Sequence, residues 1–128
     1  MRRILIVDDD EMIRKHLHGM LDHTGFDVSE SDNGHTGLVM LREKSFDAVF
    51  TDIHMPEMDG IELVRAIIQE KTVSRVIAMT GGSNFMNALF TIRVIKHFGV
   101  HGIIRKPLTH ANVLYPLKDW LQTPSVGS

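Results

Sequence analysis

Residues 4–11 read Ile4-Leu5-Ile6-Val7-Asp8-Asp9-Asp10-Glu11. Four aliphatic residues in a row, three of them β-branched, suit a strand buried on both faces of a parallel sheet. The run then stops abruptly at acids. The same design recurs downstream. Ala48-Val49-Phe50 runs into Thr51-Asp52, and Val76-Ile77-Ala78-Met79 runs into Thr80-Gly81-Gly82. Weaker strands are expected around Phe26 to Glu30 and His101 to Arg105, the latter running into Lys106-Pro107.

Helical spacing fills the intervals. Ile13, Leu17, Met20 and Leu21 recur with helical period, and Gly25 is a plausible stop. Leu38, Met40 and Leu41 mark a second helix opened near Asn33-Gly34, and Leu63, Val64, Ile67 and Ile68 mark a third after Asp59-Gly60. A fourth is expected from Ser83 to Phe98, closed by Gly99, and a fifth from Thr109, a good N-cap. Five strand–helix pairs imply a parallel sheet with right-handed crossovers and helices on both faces.

The 128 residues suit one domain, and the 43% hydrophobic content suits a packed core. A formal charge of -2 offers no basic field for nucleic acid and no polybasic membrane patch. With no cysteine, disulfides are excluded. The apolar run after Met1-Arg2-Arg3 is too short for a signal peptide or a membrane span, so the reading is cytoplasmic. There is no internal repeat, and only Thr123 to Ser128 reads as a loose tail behind a domain of residues 1–122.

Ligands of open α/β sheets bind beyond the carboxyl ends of the strands. Here those ends carry Asp8-Asp9-Asp10, Asp52, Thr80 and Lys106. Crowded carboxylates repel one another unless a cation joins them. Mg²⁺ suits one or two carboxylates plus waters and phosphate oxygens. A carboxylate can attack phosphorus to form an aspartyl phosphate. A lysine and a hydroxyl then answer the charge on the phosphoryl oxygens. The plainer reading of acids after a strand, as N-caps of the following helix, stands beside this one.

The segments Val7-Asp8-Asp9, Thr51-Asp52-Ile53-His54-Met55-Pro56-Glu57-Met58-Asp59-Gly60, Ala78-Met79-Thr80-Gly81 and Arg105-Lys106-Pro107 resemble the motifs of two-component response-regulator receiver domains, over residues 2 to about 122. The resemblance implies a flavodoxin-like (βα)5 sandwich around a five-stranded parallel sheet, and no enzyme activity beyond helping its own phosphorylation and slow hydrolysis. It implies that Asp52 takes a phosphoryl group from a phosphohistidine on a sensor histidine kinase or a histidine phosphotransfer protein. Asp8, Asp9, Asp52 and the backbone carbonyl of His54 would hold Mg²⁺, with Mn²⁺ as a substitute. Thr80 and Lys106 would bind the phosphoryl group, and the Lys106–Pro107 bond would be cis. His54 and Gly82 would flank the acyl phosphate and influence its lifetime.

Three features depart from the family pattern. Lys106 follows Thr80 by about four residues more than is usual, roughly one helical turn, so a longer fourth helix or preceding loop is expected. Ile103 stands where an aromatic switch residue is common, so the hydroxyl-tipped half of a Thr80–aromatic switch is absent, and Ile103 reads as an ordinary packed strand residue. Pro116 falls inside the fifth helix and should kink or break it near Tyr115. All three touch the helix 4/strand 5/helix 5 side, where the family meets its partners. Phe85, Met86, Leu89, Phe90, Ile92, Val94, Ile95 and Phe98 are too many for one helical stripe. Either the helix covers more of its own core, or it serves a downstream partner or homodimer.

The eight histidines make no closed zinc pattern. Two rival functions remain at this level. Asp8 and Asp10 have the Asp-x-Asp spacing of haloacid-dehalogenase-like phosphatases, although Met12 is unusual for them and they do not need the Asp52–Gly60 motif. A receiver-like interaction module that is never phosphorylated is the other. The chain reads either as a stand-alone receiver or as the receiver part of a longer protein.

Overall fold

The computed structural model describes residues 1–54, 60–81 and 85–121, and between 85 and 91 the side chain of Leu89 alone. Strands β1 (Arg3–Val7), β2 (Asp27–Ser31), β3 (Phe46–Asp52), β4 (Val73–Thr80) and β5 (Gly102–Arg105) form one sheet in the order β2-β1-β3-β4-β5. All neighbours are parallel. Helices α1 (Glu11–His23), α2 (Gly34–Glu43), α3 (Gly60–Glu70), α4 (Phe85–His97) and α5 (His110–Leu114) cross between and after them. This is the flavodoxin-like (βα)5 sandwich.

The two-residue period of a strand divides the core. Ile4 and Ile6 of β1 face one side, with Phe50, Ile77, Met79 and Ile104, against Leu17, Met20 and Leu21 of α1 and Val113 of α5. Leu5 and Val7 face the other, with Val49, Val76 and Ala78, against Leu38 of α2, Leu63 and Ile67 of α3 and Ile95 of α4. The aliphatic runs are therefore continuous because both faces are covered.

Local chemistry sets the element ends. Asp10 caps α1, its carboxylate accepting from the amides of Met12 and Ile13. Asn33 caps α2 by accepting from Thr36 N, and Thr109 makes a reciprocal capping box with Asn112. Gly25 after α1 and Gly99 after α4 take positive φ. Strand β2 begins at Asp27, one residue later than expected, and Phe26 is buried in the core cluster that holds Leu17, Met20 and Leu21. Strand β5 begins at Gly102, with His101 just outside. Ser83, where the fourth helix was expected to start, and the tail 123–128 lie outside the described residues, as do residues 82 and 84, on which the account of the extra turn also bears.

The break at Pro116 is present. Helix α5 ends at Leu114, Tyr115–Leu117 form a 3-10 turn, and a last helical turn, α6, spans Lys118–Leu121. Proline has no N–H for the helix ladder, and its ring crowds the preceding turn. The piece beyond it is held by side chains instead. Arg75 of β4 donates to both oxygens of Asp119 at 2.7 Å and to the carbonyl of Pro116 at 3.1 Å. The guanidinium groups of Arg75 and Arg2 both lie over the ring of Trp120, 3.9 Å and 4.5 Å from its centre. Arg75→Ala should therefore detach α6 while leaving the sheet intact. The expected observation is loss of amide-exchange protection at 118–121 with little change at β1 and β3.

Candidate functional site

Strand order reverses direction at β1, between β2 and β3, and this opens a crevice beyond the carboxyl ends of β1 and β3. Val7 pairs with Thr51, so Asp8 and Asp52 emerge side by side. Asp52 in turn pairs with Met79, and Thr80 with Arg105, which brings Thr80 and Lys106 to the same rim. Register alone thus gathers residues far apart in sequence.

One oxygen from each of Asp8, Asp9 and Asp52 lies within 4.8 Å of the others. Asp8 is 0% exposed, Asp52 4% and Thr80 1%, while Asp9 faces solvent. The ammonium of Lys106 donates to Asp8 Oδ2 at 3.0 Å and lies 3.6 Å from Asp52 Oδ2. The amide of Asp10 donates to Asp8 Oδ1 at 2.9 Å, and the amide of His54 donates to Asp52 Oδ1 at 3.2 Å. The Lys106–Pro107 bond is cis. The three carboxylates fit a hard divalent cation, since oxygen ligands of high charge density at this spacing are what Mg²⁺ takes. The hydroxyl of Thr80 is buried and has no hydrogen-bond partner in the protein. A buried orphan hydroxyl costs free energy, so its retention at the rim fits donation to a bound phosphoryl group.

Charge at the rim is unbalanced. Burial is the strongest influence on Asp52 and pushes its carboxyl above the usual range; Asp8 and Asp9 push the same way, while Lys106 and the His54 amide oppose without cancelling. Burial pulls Lys106 down, but Asp52 and Asp8 together outweigh it and hold its ammonium above the usual range. An aspartate with a raised folded-state pKa weakens the fold as pH climbs from its unfolded value of 3.8 through the folded one. Ionised Asp52 therefore opposes folding at neutral pH. Asp52→Asn in chelator at pH 7 should therefore melt at a higher temperature than the parent. Mg²⁺ should raise the melting temperature of the parent more than that of the variant.

The three acids after β1 divide their labour. Asp10 is spent on the cap of α1, so only Asp8 and Asp9 turn to the rim. The phosphatase reading, which needs Asp8 with Asp10, loses its second acid. Ile103 packs half-buried against the α2–α3–α4 side of the core, as an ordinary strand residue. His54 is exposed, and Gly82 lies outside the described residues, as do Met55 to Asp59 of the long motif.

Two supporting residues were not read from the sequence. Arg14 of α1 donates to the carbonyl of Asp8 at 2.8 Å and to Glu30 of β2 at 3.1 Å, and Glu30 also meets His18. Arg14 falls one turn after Asp10 on the sheet-facing side of α1, a hint that means nothing until β2 is placed. Gly81 has a packing reason. A Cβ there would come 2.9 Å from Cδ of Lys106, so glycine leaves the path by which the lysine stem reaches the carboxylates.

The family model described as response regulator receiver domain matches residues 4–117. The chain belongs to that family. Its relatives include the response regulator receiver protein CpdR of Brucella abortus, 40% identical over 81 residues, covering 63% of this chain and 68% of CpdR. The chemotaxis protein CheY of Pseudomonas aeruginosa is 34% identical over 110 residues, 84% of this chain and 86% of that protein. Among solved structures, Vibrio cholerae chemotaxis protein CheY4 superposes with a TM-score of 0.80 at 25% identity, covering 93% of this chain and 98% of that one. The phosphoacceptor role and the place in two-component signalling follow from the family; the phosphatase alternative is not favoured.

Proposed function

We propose that Asp52 is the phosphoacceptor, taking the phosphoryl group of a phosphohistidine on a sensor histidine kinase or histidine phosphotransfer protein. A carboxylate oxygen of Asp52 bonds to phosphorus as the phosphorus–nitrogen bond breaks, and the electron pair leaves with the imidazole. The observation that carries the reading is the closeness of three carboxylates to Lys106 and to the orphan hydroxyl of Thr80. Asp8, Asp9, Asp52 and the His54 carbonyl would hold Mg²⁺ or Mn²⁺, which supplies charge neutralisation between acid and phosphoryl oxygens. Lys106 keeps its proton and pairs with a phosphoryl oxygen once Asp52 is esterified, and Thr80 donates its hydroxyl to another. Burial of Asp8, Asp52 and Thr80 keeps these interactions in low dielectric.

The domain spans 1–122 with a tail at 123–128, works in the cytoplasm and, apart from its own phosphorylation and slow hydrolysis, catalyses nothing. Among the described residues no helix is long and apolar enough to cross a membrane. His54 and Gly82 tune the lifetime of the acyl phosphate, and Thr80 with Ile103 occupies the switch positions. The downstream partner or second copy is met by the α4–β5–α5 face.

The test is intact-mass spectrometry after incubation with acetyl phosphate and Mg²⁺. One phosphoryl adduct is expected on the parent and none on Asp52→Asn; an undiminished adduct on the variant would refute the assignment. Thr80→Val separates chemistry from stability. It removes an unpaired buried hydroxyl at nearly constant volume, so the fold should gain about 1 kcal/mol while phosphorylation slows. Urea melts and adduct formation rates, measured on the same samples, check both halves.

A further inference from the structure

The two acids that follow β1 are anchored very differently. The amide of Asp8 donates to the carbonyl of Ser31 at 3.1 Å, and its two carboxylate oxygens accept from the Asp10 amide and from Lys106. Asp9 is exposed, and no hydrogen bond or ion pair to a described residue holds its carboxylate. Its carboxylate nevertheless stands within 4.8 Å of those of Asp8 and Asp52. That placement depends on the backbone leading to it. The Asp8 carbonyl lies in the same rigid peptide plane as the nitrogen and Cα of Asp9, so a bond to that oxygen sets the direction in which Asp9 leaves the strand.

Arg14 makes that bond. Its Nη1 donates to the Asp8 carbonyl at 2.8 Å, and its side chain is only 15% exposed, so water competes little for it. Its Nε donates to Glu30 Oε1 at 3.1 Å, and the other oxygen of Glu30 meets His18. Glu30 belongs to β2, opposite Ile6 of β1. The guanidinium is therefore held from the sheet at one nitrogen while it holds the Asp8–Asp9 peptide with another. A planar, always-charged fork with two anchors keeps little freedom.

We infer that Arg14 is a positioning residue for the divalent ion: through the Asp8 carbonyl it presets Asp9 as a ligand, and Glu30 holds Arg14 in turn. The inference rests on the reading of Asp8, Asp9 and Asp52 as the Mg²⁺ site and adds what orients the exposed ligand. Mg²⁺ demands near-octahedral geometry, so a carboxylate left loose lowers affinity. The sign of the effect separates this role from two simpler ones. Arg14 is a cation near a cation site, so by charge alone its removal should tighten Mg²⁺ binding. If it only stapled α1 to β2, its removal should lower stability and leave Mg²⁺ affinity unchanged.

The test is calorimetric titration of Mg²⁺ into the full chain, parent against Arg14→Met, which keeps a stem but no donor. Affinity should fall about tenfold, as for loss of a group that orients a metal ligand. In metal-free protein, nitrogen relaxation should find the Asp9 amide as ordered as β1 in the parent and mobile in the variant. With acetyl phosphate, the Mg²⁺ concentration for half-maximal labelling should rise by the same factor, and the rate at saturating Mg²⁺ should fall much less. Arg14→Lys keeps the charge and one donor, so its affinity should fall by less than that of Arg14→Met, yet measurably. It decides the matter if thermal melts show Arg14→Met unfolded, because a fall at constant charge comes from geometry. The inference is overturned if Arg14→Met binds Mg²⁺ as tightly as the parent or more tightly, or if its Asp9 amide stays as ordered. Unchanged affinity in Arg14→Lys, where that is the folded variant, overturns it too. A parent that binds no Mg²⁺ would sink the metal site itself, and the inference with it, which is a visibly different result.

Discussion

Gly60→Ala should destabilise the protein by about 3 kcal/mol or more, at the top of the range for forcing extra atoms into a packed site. A Cβ on Gly60 would lie 2.1 Å from Cα of Ile53 and 2.5 Å from its carbonyl carbon and oxygen. Those are backbone atoms, which cannot rotate aside as a side chain could. The start of α3 and the end of β3 would have to separate, and Ile53 directly follows Asp52. Urea unfolding should show the midpoint fall, and acetyl phosphate labelling of whatever remains folded should be slowed. Gly19→Ala is the contrast. Gly19 lies within α1 with nothing within 4 Å of the added carbon, so alanine should be neutral or stabilising by up to about 1 kcal/mol. The glycine that closes the long motif is thus as much a packing requirement as a signature of function.

Lys106→Met should cost about 3 kcal/mol in chelator at pH 7, because it strips the cation from two buried carboxylates. Asp8 is fully buried and Asp52 nearly so, and Lys106 is their ion-pair partner among the described residues. The folded-state pKa of Lys106 is raised, so its contribution is complete below the unfolded value of 10.5 and is lost only as pH rises through the folded one. The neutral-pH measurement therefore reads all of it. Adding Asp8→Asn to the variant removes one of the stranded charges and should recover at least half of the loss. Mg²⁺ should also recover part of it, because a ligand bound only by the folded state stabilises that state. A Lys106→Met protein as stable as the parent in chelator would mean that the ammonium and the carboxylates are not coupled.

Most of the fold could be read from the sequence because parallel strands covered on both faces leave an unmistakable trace. Ile4–Val7, Ala48–Phe50 and Val76–Met79 each sit within strands of the central three. The outer strands were harder. Strand β2 reads Asp-Val-Ser-Glu-Ser, with one aliphatic residue, because an edge strand buries little. Pro116 announced its own break, since the missing N–H acts locally.

The site was partly legible for the same reason. Asp52, Thr80 and Lys106 each follow a strand, and strand ends meet at one rim. Strand ends alone do not separate Asp8 and Asp9 from Asp10; the resemblance named the first two, and the structure gives the physical reason, since Asp10 is diverted by the amides of Met12 and Ile13. Arg14 and Gly81 escaped because their partners, Glu30 of β2 and Lys106 just after β5, lie far from them in sequence.

Every functional statement rests on three carboxylates sharing one divalent ion beside the acceptor. Substoichiometric Mn²⁺ added to isotope-labelled protein tests this directly through paramagnetic broadening of assigned amides. Broadening should centre on residues 8–10, 52–54, 80–81 and 106, be displaced by Mg²⁺, and largely vanish in Asp8→Asn. Broadening centred on the histidines of α1 or on β5 instead, or undiminished in Asp8→Asn, would contradict the account.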